Sequence, residues 1–518
     1  MENALLLTGL LLTLVLAQLS HGLLPASLRP HQRPYRAWLL QQLGLACLYG
    51  LLLLLTRRPL LAGLLVLLIL LIVLVVNQAK FQALREPLLF SDLYLYLQVF
   101  RHPRLFLPFL NLPLVLGAGF TGLGLLYAAL QLEPPYKYTD LTGFWLPAGL
   151  IAGGWLVWRL ARDQPLTFDA NTDVQRLGLY VSLLVYGIQS LLRANRWTLQ
   201  TRLATNDPAR FLRTTNVDRL PDIVVVQSES FFDARQLPAA IKAEVLAHFD
   251  RIRATSLLSG KLKTPAWGAN TLRPEFSFLS GISNPALQHY RFNPYAFLPD
   301  QPLNSLVRLL GEQGYECIAV HPNHADFFQR NRVFPLLGFE QFIDIAGFAD
   351  SQRHGPYISD AACADKILTL LQAPRPQQRP RFIFTITMEN HGPLHLEPVD
   401  SNTGQYYQSP PTFRHHDLSV YLRHLSNADR MLQQLTRSLS QQHRDTLLCW
   451  YGDHVPSMPA VYQDLGHPDG ETEFLLWHNH QNGGNPPAGQ QGQPVSLEPH
   501  TLGQHLLQMV GDLATKPH

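Results

Sequence analysis

The sequence predicts a chain of two unlike parts, a bundle of five membrane-spanning helices followed by an α/β domain built on a largely parallel sheet. Two observations carry that expectation. Roughly the first 160 of the 518 residues are leucine-rich and almost free of acidic groups, whereas the remainder alternates short apolar runs with helical patterns. The mean hydropathy of +0.00 is therefore an average over two different kinds of molecule. A net charge of +3 is too small to mark a nucleic-acid binder, and no basic patch interleaved with aromatics is present. The four cysteines, Cys47, Cys317, Cys363 and Cys449, are too widely spaced for a zinc knuckle or a disulfide framework.

Residues 4–24, 37–56, 60–76, 105–130 and 142–161 are each close to the ~20 apolar residues that cross a bilayer core, which gives five spans within a transmembrane domain of 1–161. Met1, Glu2 and Asn3 lack the cationic start of a cleavable signal. Five spans put the two ends of the membrane part on opposite sides, so a cytoplasmic N-terminus delivers the C-terminal domain outside. Loop charges divide on this. Arg57 and Arg58 support that orientation, while Arg29, Arg33, Arg36, Lys80, Arg85, Arg101 and Arg104 fall in loops that it places outside. The segment near 81–104 mixes Arg with Tyr, Phe and Leu and suits a headgroup interface, where basic groups meet anionic lipid; a structured loop between spans reads the same way. Residues 162–221 read as a juxtamembrane helix at 177–192 and a polar linker, leaving 222–518 as the extracytoplasmic domain.

That domain shows strand-length apolar runs at 223–226, 317–320, 382–387, 447–451 and 474–477, with helical patterns at 302–312, 361–371 and 418–439 between them. In such sheets ligands gather at the carboxyl ends of the strands, so the residues after each run matter most. They are Gln227-Ser228-Glu229-Ser230-Phe231, then His321-Pro322-Asn323-His324 with Phe328 and Arg330 close behind, then Glu389-Asn390-His391-Gly392-Pro393, then Gly452-Asp453-His454. Any one set reads equally well as a polar cap. Four sets at four strand ends point to convergence.

A fifth stretch, 264–281, places Thr271 in a turn of small residues, Gly268, Ala269 and Asn270, with Glu275 four residues on and an apolar run behind. A threonine there is either a helix N-cap or a hydroxyl offered to a metal or a phosphorus. Thr264, beside a proline, is the runner-up, and Glu389 reads as an outer or surface group. Together the ESF, NTLRPEF, HP with aromatic-x-Arg, MENHGP and YGDH segments resemble the lipoteichoic acid synthase-like membrane phosphoglycerol transferases of the alkaline phosphatase and sulfatase superfamily. The resemblance spans nearly the whole chain and implies a C-terminal α/β/α domain of alkaline phosphatase/sulfatase type.

By that resemblance Glu229, Thr271, Asp453 and His454 are ligands of one divalent metal ion, Mn²⁺ favoured with Zn²⁺ or Mg²⁺ as alternatives, and Thr271 is also the nucleophile. Arg330 and His391 match positions that hold the phosphate group, Phe328 stands where relatives carry tryptophan, and His321 lines the site. Two carboxylates, an alcohol oxygen and an imidazole suit such an ion, which would acidify the hydroxyl for attack on a phosphodiester. Arg330 is expected to grip phosphate oxygens with two parallel hydrogen bonds, and His391 to move the proton. The implied activity transfers a phosphoglycerol head group from phosphatidylglycerol to a glycan or polyol-phosphate hydroxyl and releases diacylglycerol, at a bacterial plasma membrane. Phosphoethanolamine transfer, phosphodiester hydrolysis and glycan or lipid binding without catalysis stand as alternatives. The sulfatase signature of Cys or Ser followed by x-Pro-x-Arg is absent, which argues against sulfate esters.

Overall fold

The computed structural model describes residues 2–96, 103, 112–138, 140–212, 220–409, 412–480 and 495–515, in two compact units, Met1–Arg196 and Trp197–His518. Among the described residues, five helices of the first unit are long and apolar enough to cross a membrane: Ala4–Leu23, Tyr35–Thr56, Pro59–Leu84, Val115–Leu132 and Gly143–Arg162. They lie within α1 (Glu2–Leu19) and the turn after it, α2 (Tyr35–Thr56), α3 (Pro59–Leu84), α5 (Leu112–Leu132) and α6 (Asp140–Arg162), with the short α4 (Asp92–Tyr96) before α5. Helix α3 packs on α1, α2 and α5, and α2 packs on α1, α3 and α6. Helix α3 begins at Pro59, whose missing N–H costs nothing in a first turn. Glu133 then accepts from the backbone N–H groups of Leu60 (2.7 Å) and Leu61 (2.8 Å), placing a carboxylate where the helix dipole favours one.

The third span runs beyond its expected end, to Leu84, and this corrects the position of Lys80. Lys80 is not a loop cation but a buried residue of α3, paired with Glu86 (2.7 Å) and Asp92 (2.6 Å). A cation neutralised inside the unit carries no topology signal, so one charge opposing the expected orientation is removed. Helices α7 (Ala170–Leu177) and α8 (Leu179–Leu191) complete the unit, and α8 packs its apolar side on α6 and α2. Arg101, Arg104, most of the expected interfacial segment after Tyr96, residues 213–219 of the expected linker and residues 481–494 lie outside the described residues.

Helix α9 (Arg193–Thr205) leads into the second unit, whose sheet has eight strands in the order β10-β2-β9-β8-β1-β7-β3-β4. These are β1 (Asp222–Ser228), β2 (Leu258–Lys263), β3 (Glu316–Val320), β4 (Gln341–Ile343), β7 (Arg381–Ile386), β8 (Thr446–Gly452), β9 (Glu471–His478) and β10 (Val495–Leu497); β5 (Arg353–His354) and β6 (Tyr357–Ile358) form a separate small hairpin. All five expected strands are present. The neighbours β8, β1, β7 and β3 run parallel, while β9 runs antiparallel to β8 and β2. Central strands alternate between two cores. Ile223, Val225, Phe382, Phe384, Leu447 and Cys449 face one, and Val224, Val226, Ile383, Leu448 and Trp450 face the other.

Helices α11 (Leu272–Ser280), α12 (Leu306–Glu312), α13 (Arg330–Leu337) and α17 (Pro499–Thr515) contribute to the first core. Helices α10 (Ala247–Thr255), α14 (Asp360–Gln372), α15 (His416–Leu439) and α16 (Pro459–Leu465) contribute to the second. The result is a three-layer α/β/α unit in which the carboxyl ends of β8, β1, β7 and β3 lie side by side.

Candidate active site

Each expected strand-end residue leaves the sheet at that shared edge. Glu229 follows β1, Asp453 and His454 follow β8, His321 follows β3, and His391 lies in the loop after β7. Glycine at 452 is required by the crowding there, because a Cβ would come within 2.0 Å of the Phe231 carbonyl oxygen. Ser230 turns the chain out of β1 with a positive φ of 52°, a conformation that costs a non-glycine residue energy. Its compensation is local: its N–H donates to Asp453 Oδ1 (2.8 Å), and its hydroxyl donates to Glu229 Oε1 (2.9 Å).

Three potential ligand atoms, from Glu229, Asp453 and His454, lie within 4.8 Å of one another, and all three residues are buried. His454 Nε2 is 3.4 Å from both Glu229 Oε1 and Asp453 Oδ2. The other ring nitrogen, Nδ1, lies 3.0 Å from the Val455 carbonyl. That contact takes the ring proton on Nδ1 and turns the Nε2 lone pair toward the carboxylates. Asp453 Oδ2 and His454 Nε2 are buried with no hydrogen-bond partner among the described residues. Burial, and then the adjacent Asp453 carboxylate, push the Glu229 carboxyl well above its usual range. Two carboxylates and an imidazole lone pair converging without a donor between them fit a divalent cation.

Thr271 occupies the N-cap position of α11, yet its side chain makes no capping hydrogen bond. The turn before it is fixed from both sides. Gly268 donates its N–H to the Val455 carbonyl (3.0 Å), one residue beyond His454. Gln227 of β1 reaches the Thr271 carbonyl with its side-chain amide (3.5 Å) and accepts from the Tyr451 hydroxyl (2.5 Å). Thr271 is thus tied to the two strand ends that carry the ligand trio, and its hydroxyl is left uncommitted to the helix. Thr264, by contrast, has its hydroxyl engaged by the Ala266 and Gly470 carbonyls.

Arg330 departs from the expected phosphate grip in one respect. Its guanidinium is fully buried, and its Nε and Nη2 edge holds Glu275 (Nη2 to Oε2, 2.7 Å), with the Tyr295 hydroxyl also donating to that carboxylate (2.7 Å). Nη1 donates to His321 Nε2 (3.2 Å), and His321 Nδ1 lies 3.2 Å from the Ile386 carbonyl. Only the Nη1 and Nη2 end is left to face a ligand. Burial, and then the Arg330 charge, hold the His321 imidazole well below its usual pKa, so it is neutral. The backbone leading to Arg330 is strained, with Phe328 (φ 56°) and Gln329 (φ 59°) both left-handed, and the Phe328 ring lies 5.2 Å from the guanidinium carbon. His391 is partly buried, its Nδ1 2.7 Å from the Gly392 carbonyl and its ring against Tyr357; burial lowers its pKa.

Sequence reasoning missed Glu275 as the partner of Arg330, and Tyr357 as the neighbour of His391. The Glu275 position in the EF segment was its only signal.

The segment 221–511, more than half of the chain, matches the Sulfatase family. The chain belongs to that family. The capsular polysaccharide biosynthesis protein RkpI of Rhizobium meliloti is 27% identical over 419 residues, which cover 77% of this chain and 74% of that protein. The lipoteichoic acid synthase of Staphylococcus saprophyticus is 23% identical over 165 residues, 31% of this chain and 24% of that one, so the resemblance expected from the motifs is found. Among solved structures, the integral membrane lipooligosaccharide phosphoethanolamine transferase A (EptA) of Neisseria meningitidis superposes with a TM-score of 0.53 at 12% identity, over 89% of each chain. That likeness establishes the fold, a helical membrane part followed by a sulfatase-type domain.

Proposed function

We propose that this sulfatase-family protein transfers a phosphoglycerol group from phosphatidylglycerol to a hydroxyl of a glycan or polyol phosphate, through a covalent adduct on Thr271. The observation that carries the reading is the Thr271 hydroxyl itself, uncapped at the start of α11 and anchored to the strand ends that bear Glu229, Asp453 and His454. Glu229, Asp453, His454 and Thr271 are the residues that would hold one divalent cation, and three oxygen donors to one nitrogen favour manganese over zinc. When bound, such an ion neutralises the carboxylates and lowers the pKa of the hydroxyl.

In the first displacement the Thr271 Oγ–P bond forms as the bond from phosphorus to the diacylglycerol oxygen breaks. The hydroxyl proton ends on that departing oxygen. In the second, an acceptor oxygen takes the phosphorus, the Oγ–P bond breaks, and the acceptor proton returns to Thr271. His391, with Nδ1 held by the Gly392 carbonyl, offers Nε2 as the proton relay. The Nη1 and Nη2 end of Arg330 binds the non-bridging phosphate oxygens while Glu275 fixes the guanidinium plane, with His321 and Phe328 beside it. The catalytic unit acts on the periplasmic or extracellular side of a bacterial plasma membrane.

Intact-mass spectrometry of the detergent-solubilised, manganese-loaded protein tests this, after separate incubation with phosphatidylglycerol and phosphatidylethanolamine. The expected result is a glycerophosphate-sized adduct that maps to Thr271 and is absent from Thr271→Ala. An ethanolamine-phosphate adduct would reassign the donor. No adduct with either lipid, together with no diacylglycerol, would overturn covalent transfer.

A further inference from the structure

A second cluster of ligand-type side chains lies outside the site described above. His354 ends β5, Glu389 lies three residues beyond β7, and His424 and Asn427 occupy successive turns of α15, so they share one helix face. Glu389 Oε1 is 2.7 Å from His354 Nδ1 and 3.4 Å from His424 Nδ1, and the Asn427 amide is 3.3 Å from His354 Nδ1 and also touches Glu389 Oε1. We propose that His354, Glu389 and His424, with the Asn427 amide oxygen, hold a second divalent cation of the zinc or manganese class.

The spacings match the edges of a coordination shell. Ligand bonds of ~2.0–2.2 Å place neighbouring ligand atoms roughly 3 Å apart. Turning the Asn427 amide over exchanges its O and N, gives up the bond that Oδ1 accepts from Arg430 Nη2 (2.6 Å), and presents that oxygen to the same point. Two imidazoles, a carboxylate and an amide select a borderline transition ion over calcium or magnesium.

The surrounding residues are arranged as a metal centre requires. His424 turns its other nitrogen, Nε2, to Glu397 Oε2 (3.1 Å), and Glu397 is held in turn by Arg423 Nη2 (2.7 Å). A ligating histidine whose far N–H donates to a carboxylate is the usual support of a bound metal. The second oxygen of Glu389 accepts from the Asp360 N–H (2.7 Å), which fixes the carboxylate plane. Glu389, Asp360 and Glu397 are buried together; Arg423 bonds Glu397, and the His424 imidazole lies between Glu389 and Glu397. Asp360 Oδ1 and Glu397 Oε1 have no hydrogen-bond partner among the described residues. A divalent cation at Glu389 would take the place of a proton on His424 Nδ1, leaving the Nε2–H on Glu397.

Access is provided by a groove of about 400 Å³ whose walls include His354, Asn427, Arg423, Arg430, Asp400 and Tyr406. The His354 side chain is 46% exposed at its edge. Glu389 is two residues before His391, so a cation here would also tie the loop that carries His391 to α15 and to the β5–β6 hairpin. The proposal does not depend on the transfer reaction.

Metal counting on the full-length, detergent-solubilised protein tests it. The protein is stripped with chelator, reloaded separately with Zn²⁺ and Mn²⁺, desalted and measured by plasma mass spectrometry. Two equivalents are expected for the wild type, one for His354→Ala, one for Asp453→Asn and none for the double variant. His354 is half exposed, so its loss leaves the core intact, which an unchanged melting temperature in chelator verifies. One equivalent in the wild type that survives His354→Ala would overturn the second site and leave the first standing. Two equivalents in His354→Ala would also overturn it.

Discussion

The two ends of β1 treat a buried carboxylate in opposite ways. Asp222, where the strand begins, is fully buried and fully satisfied. Arg375 meets it with two nitrogens at 2.7 Å each, Arg444 Nε lies at 3.1 Å, and the Arg381 N–H donates at 2.8 Å. Glu229, just past the other end, has no arginine bonded to it among the described residues; a serine hydroxyl is its donor, and a second carboxylate and an imidazole lone pair stand beside it. The amino edge of the sheet therefore spends its charges on holding the strands together, whereas at the carboxyl edge Arg330 is paired with Glu275 but Asp453 Oδ2 and His454 Nε2, beside Glu229, have no hydrogen-bond partner among the described residues. Function at this fold is visible as polar groups that the protein has declined to pair with one another.

The sharpest way to separate the two edges is to remove Thr271. Its side chain makes no capping bond, so Thr271→Ala should leave the melting temperature nearly unchanged, within the ±0.5 kcal/mol of a substitution that breaks no named interaction. Turnover, followed as diacylglycerol release, should fall by roughly three to six orders of magnitude, as for loss of a nucleophile. A large drop in stability would instead make Thr271 a cap.

Asp222→Ala should show the converse. It leaves the partly exposed Arg375 and Arg444 without their buried carboxylate, so the loss should lie below the about 3–5 kcal/mol of breaking a fully buried pair. Denaturant unfolding should record that loss, while turnover per folded molecule is kept. If both parameters fell together, the edges would be energetically one unit.

The third contrast concerns the open carboxylates. In chelator, Asp453→Asn should be as stable as the parent or more so, because it removes a charge from a buried pair with no cation between. With Mn²⁺ at a hundredfold excess over its dissociation constant, the parent should gain about 2.7 kcal/mol and the variant nothing. Both are measured in a His354→Ala background so that one site is read. Destabilisation of Asp453→Asn in chelator would mean that Asp453 is structural.

Much of this was legible in the sequence, and the residues that were not share a reason. The runs that became β1, β3, β7, β8 and β9 are apolar on both faces, as strands buried in the middle of a parallel sheet must be. β2 is not: Gly260 and two lysines break its pattern, since it pairs through its backbone near an edge. β4 and β10 have three residues each, too few for any periodicity. Glu229, His321, Asp453 and His454 were legible because each directly follows a strand. The Arg330–Glu275 pair was not, since 55 residues separate its partners and only the fold brings them together. His354, Glu389 and His424 were hidden for the same reason, drawn from a hairpin, a loop and a helix.

Acid should expose the amino edge first, through its weakest member. Glu340, before β4, takes two hydrogen bonds from Arg379 (Nη2 to Oε1, 2.6 Å; Nη1 to Oε2, 3.1 Å) and one from the Cys317 N–H (3.3 Å). The Arg379 bonds, opposed by partial burial and helped by Cys317, lower its pKa below the ordinary 4.5. A depressed carboxylate gives stability that is present above the unfolded-state pKa and is lost as pH falls through the folded one. The pair is nearly half exposed, so solvent screening limits the term to under about 1 kcal/mol. Glu340→Gln should therefore lower stability slightly at pH 7 and match the parent at pH values below the folded pKa, a convergence that urea titrations across this range would resolve. Open carboxylates behave in the opposite sense. Glu229, with its pKa raised in the cation-free protein, gains protons on folding, and acid relieves its repulsion from Asp453. The amino and carboxyl edges of the sheet thus carry groups, Glu340 before β4 and Glu229 after β1, whose responses to acid have opposite sign.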